Sequence, residues 1–244
     1  MLTRNPRHED AAGDRHNTGA GQRFAMTEIP LEHVHVAPDD AAANAPAVFI
    51  LHGRGADEED LLPVASELPD ELHVISLRAP DPLQGGYTWY ELDLSGGGLH
   101  ESQPHAEEFA RSLDLVRESV DAAVEAYDLD ADQLGLLGFS QGAITSLSLV
   151  LENPDRYAWV VALHGYLADS HADLAPAELD GKPVFVGAGA ADRIIPKGRS
   201  EAAAERLSAA GADVTFRSYQ TGHGIGQDEL ADVVAFVETH VDGA

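Results

Sequence analysis

From Ile29 onward, short apolar runs of strand length alternate with longer stretches in which apolar residues recur every three or four positions. The first pattern suits β-strands and the second amphipathic helices. Strands are predicted at 29–36, 47–52, 73–78, 134–139, 159–164, 183–188 and 214–219, and helices at 57–66, 106–127, 141–152, 198–210 and 227–240. Pro104, Pro154 and Pro196 stand at helix edges, where a residue without an N–H is tolerated. Strands joined by crossover helices predict an α/β architecture: a mainly parallel central sheet with helices on both faces. Ligands of such open sheets bind beyond the carboxyl ends of the strands, so the chemically able residues are sought there.

Residues 1 to about 25 break the pattern. They are polar and small, with Asn5, Gly13, Asn17, Gly19 and Gly21, and they lack the apolar segment of a secretory signal. They read as a disordered extension (1–25) ahead of one folded domain (26–244), with Met26 as a candidate start. The longest apolar runs, such as Ala47 to Leu51 and Trp159 to Leu163, fall far short of the roughly 20 residues a membrane helix needs. A cytoplasmic protein with no membrane span is expected, as a monomer or homodimer.

Charge narrows the partners. Fifteen basic residues face 42 acidic ones, for a formal net charge of -27. A phosphate backbone would be repelled, which excludes nucleic acid. The acidic residues are spread along the chain rather than gathered into a tail, and only Lys182 and Lys197 are lysines. That distribution resembles proteins of salt-loving microbes, in which molar salt shortens the Debye length to about 3 Å and relieves self-repulsion. Cysteine is absent, so thiolate nucleophiles, disulfides and Cys-ligated metals are excluded.

The strand at 134–139 runs into Gly138-Phe139-Ser140-Gln141-Gly142, and a helical pattern starts at once. Gly-x-Ser-x-Gly between strand and helix is the form of a nucleophile elbow, whose tight turn leaves no room for a Cβ at the glycines. In a chain with 23 glycines the bare pattern arises by chance roughly one time in nine, so the context carries the assignment.

A serine hydroxyl needs a base and an orienting carboxylate. In this arrangement they follow in the order serine, acid, histidine, each after a later strand. His223, in the loop after 214–219, is the candidate base, and Asp192, just past 183–188, the candidate acid. His164 precedes every plausible acid and is assigned to the pocket wall. For the oxyanion, one donor is the backbone N–H of Gln141; the other is assigned to Arg54, in the Gly53-Arg54-Gly55 turn after 47–52. Trp89 and Tyr90, near Gly85 and Gly86, suit an acyl-pocket wall or lid, with plain packing as the alternative. His33 and His35 share a strand face but are too few for a metal, and Gly96-Gly97-Gly98 does not lead from strand to helix as a phosphate loop does, so neither metal nor cofactor is expected.

Together these stretches resemble the phospholipase/carboxylesterase family, which includes the acyl-protein thioesterases. The resemblance spans roughly Val48 to Leu230. It rests on Leu51-His52-Gly53-Arg54-Gly55, Trp89-Tyr90-Glu91, the elbow through Ala143, Gly165-Tyr166-Leu167, Asp192 through Pro196, and Gly222-His223-Gly224. It implies an α/β-hydrolase fold with little lid that cleaves ester or thioester bonds of short to medium acyl substrates without a cofactor. Arg54 stands where the family often carries leucine, and His164 where a small residue is common. Both make the pocket more polar and favour smaller or charged esters over long-chain or acylated-protein substrates. The competing class is a catalytically silent ligand-binding member of the fold. Among enzymes, an acyl thioesterase or lysophospholipase, a peptidase and a dienelactone-type hydrolase compete; the peptidase usually adds a cap and the dienelactone-type hydrolase usually carries a cysteine nucleophile.

Overall fold

The structure, a computed structural model, describes residues 28–38, 43–172 and 179–241. The extension expected at 1–25 and the candidate start at Met26 lie outside the described residues.

The strands are β1 (His33–Val36), β2 (Ala45–Leu51), β3 (His73–Leu77), β4 (Asp81–Leu83), β5 (Gly86–Thr88), β6 (Leu92–Asp93), β7 (Gln103–Pro104), β8 (Leu129–Phe139), β9 (Trp159–Leu163), β10 (Pro183–Gly189) and β11 (Asp213–Tyr219). The α-helices are α1 (Leu62–Ala65), α2 (Ala106–Tyr127), α3 (Gln141–Glu152), α4 (Asp169–Ala172), α5 (Lys197–Ala209) and α6 (Gln227–Val241). Seven strands form the central sheet in the order β1-β3-β2-β8-β9-β10-β11. Within this sheet only β1 runs antiparallel; the other six strands pair in parallel.

Alternation along the strands sends side chains to two separate cores. Ala47, Phe49 and Leu51 of β2, with Leu134 and Leu136 of β8, join a cluster completed by Phe109, Leu113 and Val116 of α2, Ile144 and Leu147 of α3 and Leu207 of α5. Val48 and Ile50 face the opposite way, onto Leu61, Ala65 and the α6 residues Val233, Phe236 and Val237. Helices therefore cover both faces, as a parallel sheet requires, because its strands are apolar on both sides. Gln141 through Leu151 of α3 are all buried. The helix is buried nearly all round, its Thr145 and Ser146 hydroxyls bonded back to the carbonyls of Gln141 and Gly142, so it lies inside the molecule rather than on its surface.

Three expectations are corrected. The helix at 57–66 reduces to α1, because Asp57 to Leu61 form turns and Asp57 Oδ1 accepts the Glu59 N–H. Strand 134–139 extends back to Leu129 across a register shift opposite Ala45 and Ala47, where polar Asp130 to Gln133 hid it. The connection from 79 to 105 carries two small antiparallel pairs, β4 with β5 and β6 with β7, too short to show a period.

Candidate active site

At the carboxyl end of β8 the chain turns through Ser140, whose φ is 54° and ψ -115°. A non-glycine residue there stores about 1–3 kcal/mol of backbone strain. Its N–H donates to Leu163 O at 2.9 Å, which ties the elbow to β9. The flanking glycines are forced by crowding: a Cβ on Gly138 would lie 2.3 Å from Gly142 O, and one on Gly142 would lie 1.9 Å from Leu51 O.

His223 comes from the loop between β11 and α6, and Asp192 from the loop after β10. Those loops are knitted together. Ala190 N–H donates to Tyr219 O at 2.7 Å and Ala191 N–H to Thr221 O at 2.9 Å. Gly189 permits the approach, since its Cβ would sit 2.2 Å from Gly222 O. His223 Nε2 thereby lies 3.0 Å from Ser140 Oγ, and His223 Nδ1 lies 2.7 Å from Asp192 Oδ2. Asp192 Oδ1 accepts the N–H groups of Ile194 at 2.8 Å and Ile195 at 3.0 Å. Burial pushes the Asp192 carboxyl up, but hydrogen bonds from His164, His223 and these two N–H groups outweigh it and hold the acid below its ordinary range.

The turn after β2 is built with equal care. Ala79 N–H donates to His52 Nε2 at 3.1 Å, so His52 Nδ1 carries the proton and donates to Gly53 O at 2.8 Å. Trp89 Nε1–H caps His52 O at 2.8 Å. Among the described residues, the N–H groups of Arg54 and Gln141 donate to no protein acceptor. Gln141 follows Ser140 directly, and a Cβ on Gly53, the neighbour of Arg54, would lie 3.5 Å from Ser140 Cβ, so both uncommitted donors belong to turns beside the serine, and two such donors are what an oxyanion requires. The Arg54 guanidinium turns to Glu91 at 3.2 Å on the partly exposed rim.

Three residues expected at the pocket wall are placed otherwise. Trp89 and Tyr90 have no exposed surface. The Gln141 amide pins their segment, accepting from Thr88 Oγ1 at 3.0 Å and Trp89 N–H at 3.2 Å and donating to Tyr90 O at 2.8 Å; the Tyr90 ring packs edge-on against Phe109. These two aromatics are packing, not lid. His164 is also fully buried. It follows β9 with a φ of 53°, and its ring meets Asp192 and Glu229 rather than solvent. Its Nδ1 lies 3.0 Å from Asp192 Oδ2 and its Nε2 lies 3.1 Å from Glu229 Oε2. Sequence reading gave no role to Glu229, His52 or Thr88; His52 stood inside the Leu51-His52-Gly53-Arg54-Gly55 stretch, but only the tertiary contacts show what each of the three does.

His164, Asp192 and His223 are the one group among the described residues with three possible metal-ligating atoms within 4.8 Å of one another. Their ring nitrogens are already directed at Ser140, Asp192 and Glu229, so the arrangement is that of a hydrogen-bonded relay. A cleft of about 800 Å³ between Gln103, Tyr166, Leu167 and Arg199 holds none of the three relay residues.

A parallel sheet that carries a strained serine after a central strand, followed by an acid and a histidine on later loops, defines an α/β-hydrolase. The comparisons place it more closely. Residues 31–241 match the family model described as Phospholipase/Carboxylesterase, and the chain belongs to that family of esterase-type hydrolases. MhqD of Bacillus subtilis (strain 168), which carries the name of a hydrolase, is 26% identical over 182 residues, 75% of this chain and 87% of its own. Acyl-protein thioesterase 1 of Debaryomyces hansenii is 28% identical over 166 residues, 65% of this chain and 71% of its own. The crystal structure of the Bacillus cereus carboxylesterase superposes with a TM-score of 0.76 at 26% identity, covering 86% of this chain and 94% of that one.

Proposed function

We infer that this chain is a serine carboxylesterase that cleaves ester or thioester bonds of short to medium acyl substrates through an acyl-enzyme on Ser140. One observation carries the reading: His223 bridges Ser140 Oγ and Asp192 Oδ2 through its two ring nitrogens, at 3.0 and 2.7 Å.

In the derived mechanism, Ser140 Oγ attacks the acyl carbon while its proton passes to His223 Nε2. Asp192 fixes the imidazole with Nδ1 protonated and Nε2 free to accept. The carbonyl oxygen gains the electron pair and is held by the N–H groups of Gln141 and Arg54, each donor contributing about 10²–10³ in rate. His223 then gives its proton to the departing alkoxide or thiolate. A water attacks the acyl-enzyme by the same route, and Ser140 recovers its proton as the acid leaves.

Arg54 at the rim, paired with Glu91, favours small or charged acyl groups over long apolar ones. The thioester arm draws support from the relative named acyl-protein thioesterase 1. Among the described residues no helix is long and apolar enough to cross a membrane.

The test is a panel of esters and thioesters of increasing acyl length, assayed in molar KCl with the native protein and Ser140→Ala. Activity should fall about 10⁵- to 10⁶-fold in the variant, and a fluorophosphonate should label Ser140 in the native protein. Undiminished activity in Ser140→Ala, or a native protein inert to both substrate and label, overturns the reading; the second result favours a silent binding protein. A preference for long-chain thioesters overturns the role given to Arg54.

A further inference from the structure

Behind Asp192 the relay continues. Asp192 Oδ2 faces two imidazoles at once, His223 Nδ1 at 2.7 Å and His164 Nδ1 at 3.0 Å, and His164 Nε2 reaches Glu229 Oε2 at 3.1 Å. The side chains of His164, Asp192 and Glu229 are all fully buried. Burying a carboxylate and an imidazole is costly unless they serve each other or a site. Glu229 carries a further cost, since its Oε1 is buried with no partner. The fold makes room for it nonetheless: a Cβ on Gly187 in β10 would lie 2.2 Å from that oxygen. The left-handed backbone at His164 is a second concession to the same arrangement.

We propose that His164 and Glu229 are positioning residues for the reaction at Ser140, a second imidazole–carboxylate pair that clamps the back of Asp192 and holds its Oδ2 toward His223. The proposal rests on the esterase reading above. Because both ring nitrogens of His164 face carboxylate oxygens, and a neutral imidazole has a single N–H, His164 serves as an imidazolium. Burial lowers its pKa, but the hydrogen bonds and charges of Glu229 and Asp192 outweigh burial and raise it. The titratable side chains facing it are Asp192, Glu229 and His223, whose ring centroid is 5.6 Å away. Its cation offsets part of the Asp192 charge, so losing it strengthens the pull of Asp192 on protonated His223.

The variants are His164→Asn, which tolerates a positive φ, and Glu229→Gln, which keeps a hydrogen bond to Nε2 but removes the countercharge. His164→Asn should lower kcat about 10- to 100-fold with KM within about twofold, and Glu229→Gln should lose less than Glu229→Ala. In His164→Asn the acid limb of kcat/KM should move to higher pH. A structural role alone would lower the fraction of Ser140 titrated by fluorophosphonate and leave the limb in place. The proposal is overturned if kcat and the acid limb stay as in the native enzyme, or if kcat falls only with the titrated fraction. Should the variants not fold, the ring signals of ¹⁵N-histidine native protein decide: two N–H groups on His164 at pH 6.5, where an unperturbed ring would be half charged, support the proposal, and a predominantly single one overturns it. Failure of the esterase reading shows separately, as residual activity in Ser140→Ala.

Discussion

Asp192 meets His223 through Oδ2 at 2.7 Å while the N–H groups of Ile194 and Ile195 hold its Oδ1, so the carboxylate can offer His223 only an acceptor. Asp192→Asn would place an amide there and favour the wrong tautomer of His223. A loss of about 10⁴ in kcat is expected with the fold intact. Steady-state kinetics with circular dichroism checks it; a loss under about tenfold would remove Asp192 from the relay.

Gly142 stands so close to Leu51 that a Cβ would lie 1.9 Å from the carbonyl oxygen, and that atom is backbone, which cannot swing aside. Gly142→Ala should cost about 1–3 kcal/mol by overpacking and displace the elbow, lowering kcat sharply. Gly198, in α5, has open space around it. Gly198→Ala should leave activity unchanged and raise stability by up to about 1 kcal/mol. Denaturant melts of both variants test the contrast, and equal stability in the two would refute the steric argument.

His164 and Asp192 carry opposite pH signatures. His164 is raised above its ordinary 6.5, so its contribution to stability is fully present below 6.5 and is lost as pH climbs through the raised value. Asp192 is lowered below its ordinary 3.8, so its contribution is present above 3.8 and is lost as pH falls through the lowered value. At fixed KCl, the native protein should lose more stability above pH 6.5 than His164→Asn does. Parallel decline of the two would show that another group controls the alkaline side.

The bases are heavily engaged: Arg78 with Glu32 and Glu58, Arg111 with Asp81, Arg117 with Asp114 and Glu152, Arg156 with Asp121. The surplus of acid in a chain of net charge -27 is left to repel itself. Raising KCl from about 0.1 to about 3 M should therefore raise the melting temperature by about 10 °C or more, as the Debye length shrinks from about 10 to about 3 Å. A melting temperature indifferent to KCl would refute the salt-adapted reading.

Sequence pattern made most of the sheet legible, because strands buried on both faces read as apolar runs between helices. It misjudged places where polarity and structure part company. Asp130 to Gln133 are polar yet lie in β8, and Asp57 to Leu61 have helical spacing yet lie in turns. That Ser140, Asp192 and His223 meet was readable because their order along the chain follows from the order of the strands. The surroundings were not. Trp89 is held in the core by the Gln141 amide 52 residues away, and His164 is held inward by Asp192 and Glu229, 28 and 65 residues away. Glu229 looked like any acidic residue on a surface helix until the space beside Gly187 showed that it points inward.

The sheet order has a consequence for the growing chain. Ser140, the proposed nucleophile, precedes His223, its proposed base, by 83 residues, and helix α3 and strand β9 precede β11 along the chain. During synthesis, at about 5–20 residues per second, the serine spends several seconds outside the ribosome with no imidazole to activate it. Under the proposed mechanism, reactivity would arrive only when the segment from β11 to α6 docks, so an unfinished chain would carry an inert hydroxyl, and an acyl group would be taken up only by a molecule that has completed its sheet.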